Sequence, residues 1–560
     1  MKKFYFLILA AMLAWACSDV ENPEIDPVVP QEDEQIADYT VIFWGMSGKN
    51  DGGVANDMMT LANLYITGAI GENVDIAGLL KTSVNLSDET AAAGFDKTYY
   101  FESGDKMTEK TLNANVETIS EAYNSAFNVF DATPYADTAY PLNNIDSLAS
   151  FIQRVSKEHP AQNYVLMLLG HGGGFSPAEE APLTKACLYD NYANSAYLTA
   201  DAVVSAVQKS GVKVQTIFTQ CCLMATLENI AAYSQVFDYG ILAAEVTFSD
   251  YFPMYLALLS DAGSDKDKFV SNSAELIDYY ISTLADYPNE YTSHGFYDLT
   301  KAPQLLSTVG EISAWYNTNY SKLGDPIEEA LSKCIFCDNL PAGEDSLARK
   351  ERALIQDIIA GEDVSSEFEG LSGEEIFRKL INMMIDLNYN AISYGFPFAY
   401  VLECTINELE AAGYAAEKST LEALGTKYMQ ILADMAYIRA NAVPAGAGSE
   451  YPYLYTSPTI NIFGLNEQYF RPLFGAHPQE SLDALMEAFN NDDEEAAGLL
   501  MEELFGGTPF AAEVSLDQAR TNYTSSVFDR QVKWSSFLEQ LQMNPSVIYN
   551  PDRAQINEKF

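Results

Sequence analysis

A mostly parallel β-sheet flanked by helices, continued by a largely helical C-terminal region, is the fold the sequence predicts, and three observations predict it. Short runs rich in β-branched, aliphatic and aromatic residues recur at Thr40–Trp44, Val74–Leu80, Tyr164–Leu169, Val212–Phe218 and Ile241–Ala244. Segments with helical spacing separate them. Beyond about residue 320 the pattern changes to longer helical stretches. A strand that is apolar along its whole length is buried on both faces, which is the signature of a parallel sheet covered by helices.

The elements follow in order. Thr40-Val41-Ile42-Phe43-Trp44 ends at Gly45 as a buried strand would, and Val54 to Ile66 reads as an amphipathic helix. Val74–Leu80 is a second strand and Thr98–Phe101 a third. Ile145 to Val155 places Leu148, Ile152 and Val155 on one helical face. Tyr164–Leu169 is then stopped by Gly170-His171-Gly172-Gly173-Gly174. Thr199 is positioned to cap a helix running to Lys209. Strand Val212–Phe218 leads to Cys222, with a helix expected over Met224–Tyr233 and a strand over Ile241–Ala244. Later helices are expected at Ile355–Ile359, Glu375–Leu387, Leu421–Ala442 and Gln479–Phe489, with a returning strand at Thr459–Phe463 and loops at Pro341–Glu344 and Val443–Tyr451.

At 560 residues the chain is too long for one ordinary core, and two folded domains, 39–320 and 321–560, are expected. Residues 79 acidic against 31 basic give a net charge of −48, a surface that repels nucleic acid and anionic headgroups. Lys2 and Lys3 followed by the apolar run Phe4–Ala16 read as a signal peptide over residues 1–17, too short to span a bilayer. Its end, Leu13-Ala14-Trp15-Ala16-Cys17, resembles a bacterial lipoprotein signal, so Cys17 is the expected lipidated residue and 18–38 an acidic tether. The expected location is the cell envelope, at the outer membrane of a Gram-negative bacterium. The other cysteines, Cys187, Cys221, Cys222, Cys334, Cys337 and Cys404, are too few for a disulfide scaffold; Cys334 and Cys337 read as a local disulfide or two buried thiols.

Two neighbouring strands each end in a reactive group, at the sheet edge where open α/β folds bind ligands. Tyr164–Leu169 delivers His171, and Val212–Phe218 delivers Cys221 and Cys222. An imidazole deprotonates a thiol, a following helix start favours the thiolate, and Gly172–Gly174 leave backbone N–H groups open for an oxyanion. His159 and His477 are expected to be bystanders on a surface turn and a loop, and His294 to be structural.

The stretch Tyr164 to Gly174, with Cys222-Leu223-Met224-Ala225-Thr226-Leu227-Glu228 some fifty residues on, resembles the clostripain family of cysteine peptidases. Thr40–Trp44, Gly240–Glu245, Gly295–Leu299, Ser457–Phe463 and Phe528–Leu538 fit the same likeness. The resemblance implies a caspase-like α/β fold over 39–320 with the C-terminal region packed on it. It implies a cysteine endopeptidase with no essential third residue. His171 would be general base and acid, Cys222 rather than Cys221 the nucleophile forming a thioacyl-enzyme, and the N–H groups of Gly172 and Cys222 the oxyanion hole. The family's aspartate two residues before the nucleophile is Gln220 here. A neutral amide lacks the charge-assisted pairing that favours Arg, a loss of roughly 2–5 kcal/mol. Strict basic preference is therefore expected to be absent or weakened unless Glu245 or another acid substitutes, and the same argument counts against self-cleavage at Lys185, the basic residue in the loop after His171. No cofactor is implied; some relatives respond to calcium, yet no acidic spacing specifies a site. The partners implied are a peptide or protein substrate and, through the lipid, a membrane. The rival reading is a catalytically silent relative that binds peptides or proteins; a glycan-capturing lipoprotein, helical from its N-terminus, fits the early strands poorly.

Overall fold

The computed structural model describes residues 36–47, 52–82, 97–135, 142–170, 172, 187–190, 196–245, 247, 251–284, 292–334, 364–368, 395–440, 457–462 and 516–541, with a few scattered positions between 350 and 379. Strand β1 (Ala37–Ser47) lies in the interior of the sheet, where every residue from Thr40 to Trp44 is buried. It pairs in parallel with β2 (Val74–Thr82) on one side and, on the other, with β5 (Ala161–Leu169). At the first margin β3 (Lys97–Glu102) and β4 (Thr133–Pro134) join antiparallel. A separate pair, β6 (Cys187–Asp190) and β7 (Ala196–Leu198), precedes β8 (Thr216–Gln220), which pairs in parallel with β5 and with β9 (Tyr239–Ala243). Beyond β9, β10 (Ser293–Asp298) runs antiparallel. A short pair is formed by β11 (Phe396–Pro397) and β13 (Thr459–Ile460), and β12 (Ala436–Ala440) closes the nine-stranded order β12-β10-β9-β8-β5-β1-β2-β3-β4.

Strand alternation divides the core in two. Val41, Phe43, Val165, Met167, Leu169 and Phe218 face helices Gly52–Ile66, Phe252–Ala262 and Lys266–Thr283. Ile42, Trp44, Leu166, Leu168 and Ile217 face helices Ile145–Glu158, Ala200–Ser210, Leu227–Tyr233 and Ala302–Lys333. Two-residue periodicity gives each buried strand an apolar face for each layer. The second layer continues without a break into C-terminal residues, including Phe398, Tyr428, Ile460, Phe528 and Trp534. Helix Ala302–Lys333 runs through residue 320, with a kink at Leu323 three residues before Pro326.

Several boundaries differ from the sequence expectation. The strand expected over Val212–Phe218 is Thr216–Gln220, because pairing with β5 begins at Val165↔Thr216. The helix expected from Met224 starts at Leu227, with Thr226 as its cap. Leu421–Ala442 is a helix only to Met435; the next five residues pair with the open edge of β10. Thr459–Phe463 contributes two strand residues. The expected elements at Ile355–Ile359, Glu375–Leu387, Gln479–Phe489, Pro341–Glu344 and Val443–Tyr451 fall outside the described residues, save single positions, as do the signal peptide and nearly all of the tether. Among the described residues no helix is long and apolar enough to cross a membrane.

Candidate active site

The carboxyl ends of the five parallel strands lie on one edge of the sheet. There Leu169, the last residue of β5, pairs with Gln220, the last of β8. Positions 171 and 222 are therefore each two steps beyond one paired register position. His171 itself lies outside the described residues, but Gly170 and Gly172 on either side are described. The Gly170 N–H reaches the Gln220 carbonyl at 3.4 Å. Gly172 is buried against the Cys222 segment: a Cβ there would stand 2.2 Å from the Cys222 carbonyl oxygen and 2.7 Å from the Cys222 nitrogen. Only glycine fits that approach.

The two adjacent cysteines point to different environments. Cys221 is fully buried in the layer with Leu168 and Ile217, its thiol 3.6 Å from the Leu168 carbonyl. Cys222 is half-buried, and its Sγ accepts the Thr247 backbone N–H at 3.3 Å while lying 3.9 Å from the Thr247 carbonyl. An N–H aimed at sulfur favours the thiolate. The Thr247 hydroxyl also donates to the Cys221 carbonyl at 3.2 Å. The expected support from a helix start directly after Cys222 is corrected: the helix begins five residues on, is seven residues long, and its Asn229 N–H is taken by the Thr226 side chain.

The intervening turn is held from outside. Leu223 has φ 64, a left-handed conformation that costs a non-glycine residue roughly 1 kcal/mol. In return its N–H pairs with the Glu245 carbonyl at 3.0 Å, and the Ala225 N–H with the Ala243 carbonyl at 2.7 Å. The Ala225 carbonyl accepts from Thr459, which brings β13 against the same turn. Glu228, on the following helix, is buried; its Oε1 accepts the Asn461 N–H at 3.0 Å and the Tyr523 hydroxyl at 3.2 Å. Burial pushes its carboxyl up to about 7. Thr247 and the clamp on Glu228 had no signal in the sequence, because both depend on distant backbone.

Gln220 is 6% exposed, and its Nε2 lies 3.4 Å from Oδ2 of Asp57, a buried residue of helix Gly52–Ile66. Glu245 is buried at the end of β9. His294 is buried in β10, its Nδ1 3.0 Å from the Tyr251 hydroxyl, and burial pushes it down to about 3. His159 is not a plain surface turn residue: it ends helix Ile145–Glu158, and its ring meets Glu102 at 3.0 Å and Asp75 at 3.7 Å. Those carboxylates raise its pKa. Lys185, Cys17, Cys337 and His477 lie outside the described residues. Among the described residues no group of three His, Cys, Asp or Glu side chains is placed to hold a metal.

A mostly parallel α/β sheet with a half-buried thiol at its carboxyl edge suits the class of cysteine-type peptidases. Residues 83–353, which include both His171 and Cys222, match the family model described as the clostripain family. Its substrate is protein or peptide. Among solved structures the chain is similar to a secreted C11 cysteine protease from Bacteroides thetaiotaomicron called iotapain, at 16% identity and TM-score 0.35 over 50% of this chain and 71% of that one. It is similar to an inactive zymogen C11 protease from Parabacteroides distasonis, at 16% identity and TM-score 0.34 over 50% and 67%. A third is a secreted C11 cysteine protease from Bacteroides thetaiotaomicron in complex with an irreversible peptide inhibitor, at 13% identity and TM-score 0.33 over 49% and 70%. No curated protein matches the chain.

Proposed function

We propose that the chain is an envelope endopeptidase in which His171 and Cys222 form the catalytic pair. The observation that carries this reading is the Cys222 sulfur at the end of β8, accepting the Thr247 N–H while Gly172 packs against the same peptide. His171 takes the thiol proton, the sulfur attacks the peptide carbonyl carbon, and the Gly172 and Cys222 N–H groups hold the oxyanion. The same imidazole returns the proton to the leaving amine and then activates the water that hydrolyses the thioacyl-enzyme. Gln220 and Glu245 line the P1 pocket, and the amide at 220 weakens any preference for Arg. Cys17 carries the lipid anchor, and residues 39–320 hold the catalytic pair.

The test is cleavage of a peptide library by the wild type, Cys222→Ala and Cys221→Ala. Internal cleavage lost with Cys222→Ala and kept with Cys221→Ala supports the proposal. Cleavage that survives Cys222→Ala removes the nucleophile, and a wild type that binds peptides without cutting them favours the silent relative.

A further inference from the structure

Gln220 pairs in the interior with Asp57, a carboxylate to which the peptidase chemistry above gives no part. Phe218 and Gln220 leave β8 on the same face, since side chains two apart share a side. Phe218 packs into the layer covered by helix Gly52–Ile66, and that helix brings Asp57 to Gln220. Asp57 is 1% exposed and Gln220 6%. A carboxylate offers only acceptors, so it fixes the amide nitrogen toward itself and turns the amide oxygen the other way. That oxygen, Oε1, is buried and has no hydrogen-bond partner among the described residues. A buried acceptor without a donor is rare in folded proteins because it has lost water and gained nothing. Here it stands two residues before the proposed nucleophile.

We propose that Asp57 is a positioning residue for substrate selection: it locks Gln220 so that Oε1 is offered to the P1 side chain, and the enzyme selects residues ending in an N–H donor. The inference rests on the reading that Gln220 lines the P1 pocket. A donor from substrate supplies the bond that Oε1 lacks, and a site built around such a bond rejects side chains that cannot make it. A P1 carboxylate would bring acceptor against acceptor, with the Asp57 carboxylate behind. An apolar P1 side chain would leave Oε1 unpaired. Amide and ammonium side chains both supply the donor, and comparing them separates neutral from cationic recognition.

The experiment uses the full chain and irreversible thiol-directed peptide probes that differ only at P1: Gln, Lys, Leu and Glu. Labelling of Cys222 is followed by intact mass, with iodoacetamide alkylation reporting on the sulfur alone. Wild type is expected to label with the Gln or Lys probe at least tenfold faster than with Leu or Glu. Asp57→Asn frees the amide to turn over, so the Glu probe should gain at least tenfold relative to Gln. Gln220→Leu should flatten the profile, and adding Asp57→Asn to it should change nothing more. A wild type labelled without donor preference overturns the inference, as does a Gln220→Leu protein that keeps the preference, or an Asp57→Asn effect equal in both backgrounds. If no probe labels Cys222 in wild type, the active-site assignment itself falls.

Discussion

The backbone N–H of Thr247 points at the Cys222 sulfur from 3.3 Å, and the hydroxyl of the same residue holds the Cys221 carbonyl at 3.2 Å. One residue thus sets a backbone donor against the sulfur and fixes the backbone that carries it. Thr247→Pro, which removes the N–H, should move the pH midpoint of Cys222 alkylation upward. Thr247→Ala keeps the N–H and loses only the hydroxyl bond, worth about 1 kcal/mol, so its midpoint should stay near wild type. Alkylation rates between pH 5 and 10 distinguish the two variants.

The adjacent cysteines should separate stability from catalysis. Cys221→Ala removes a fully buried side chain and is expected to lower stability by about 1–2 kcal/mol while cleavage persists. Cys222→Ala should leave the melting temperature near wild type and reduce cleavage at least ~1,000-fold. Thermal melts and peptide cleavage on the same samples check both.

Gly172→Ala introduces a methyl group where the Cys222 carbonyl stands 2.2 Å away. The backbone must shift, and a displacement of this kind at reacting groups costs about 100-fold in kcat/KM. Steady-state cleavage with circular dichroism on the same sample separates this from unfolding.

Glu228 makes stability depend on pH. Burial raises its folded pKa to about 7 from an ordinary 4.5, so the neutral form is favoured in the folded chain. Its stabilising contribution is complete below about 4.5 and is lost as pH rises through about 7, a change of roughly 3 kcal/mol. Glu228→Gln keeps an acceptor for Asn461 and Tyr523 and carries no charge. Denaturation midpoints should therefore coincide near pH 5 and favour the variant above pH 7.

The histidines should titrate apart. His294, pushed down to about 3 by burial, stays neutral across pH 5–8, whereas Asp75 and Glu102 raise His159. The His159 contribution is present below the ordinary histidine value and fades as pH rises through the elevated folded one. Imidazole proton shifts in the wild type, His159→Gln and His294→Gln assign both curves.

The strands at Thr40–Trp44 and Tyr164–Leu169 were legible because they are apolar on both faces, and Thr199 because a cap is a local contact. Met224–Thr226 were misread as helix: their residues suit a helix, but Ala225 pairs instead with Ala243 and Thr459. Ala436–Ala440 likewise follow a helical pattern until the free edge of β10 claims them. Local propensity is a weak force beside a ladder of buried hydrogen bonds.

The sequence alone determined the alternating α/β order, the segments bearing His171 and Cys222, and the amide in place of an acid at 220, since these are carried by residue identity and short-range spacing. Tertiary structure decided which cysteine is sealed in the core, that Thr247 reaches the sulfur, and that Asp57 stands behind Gln220. Those outcomes turn on strand register and on segments far apart in the chain, where distance is set by packing and leaves no local pattern to read.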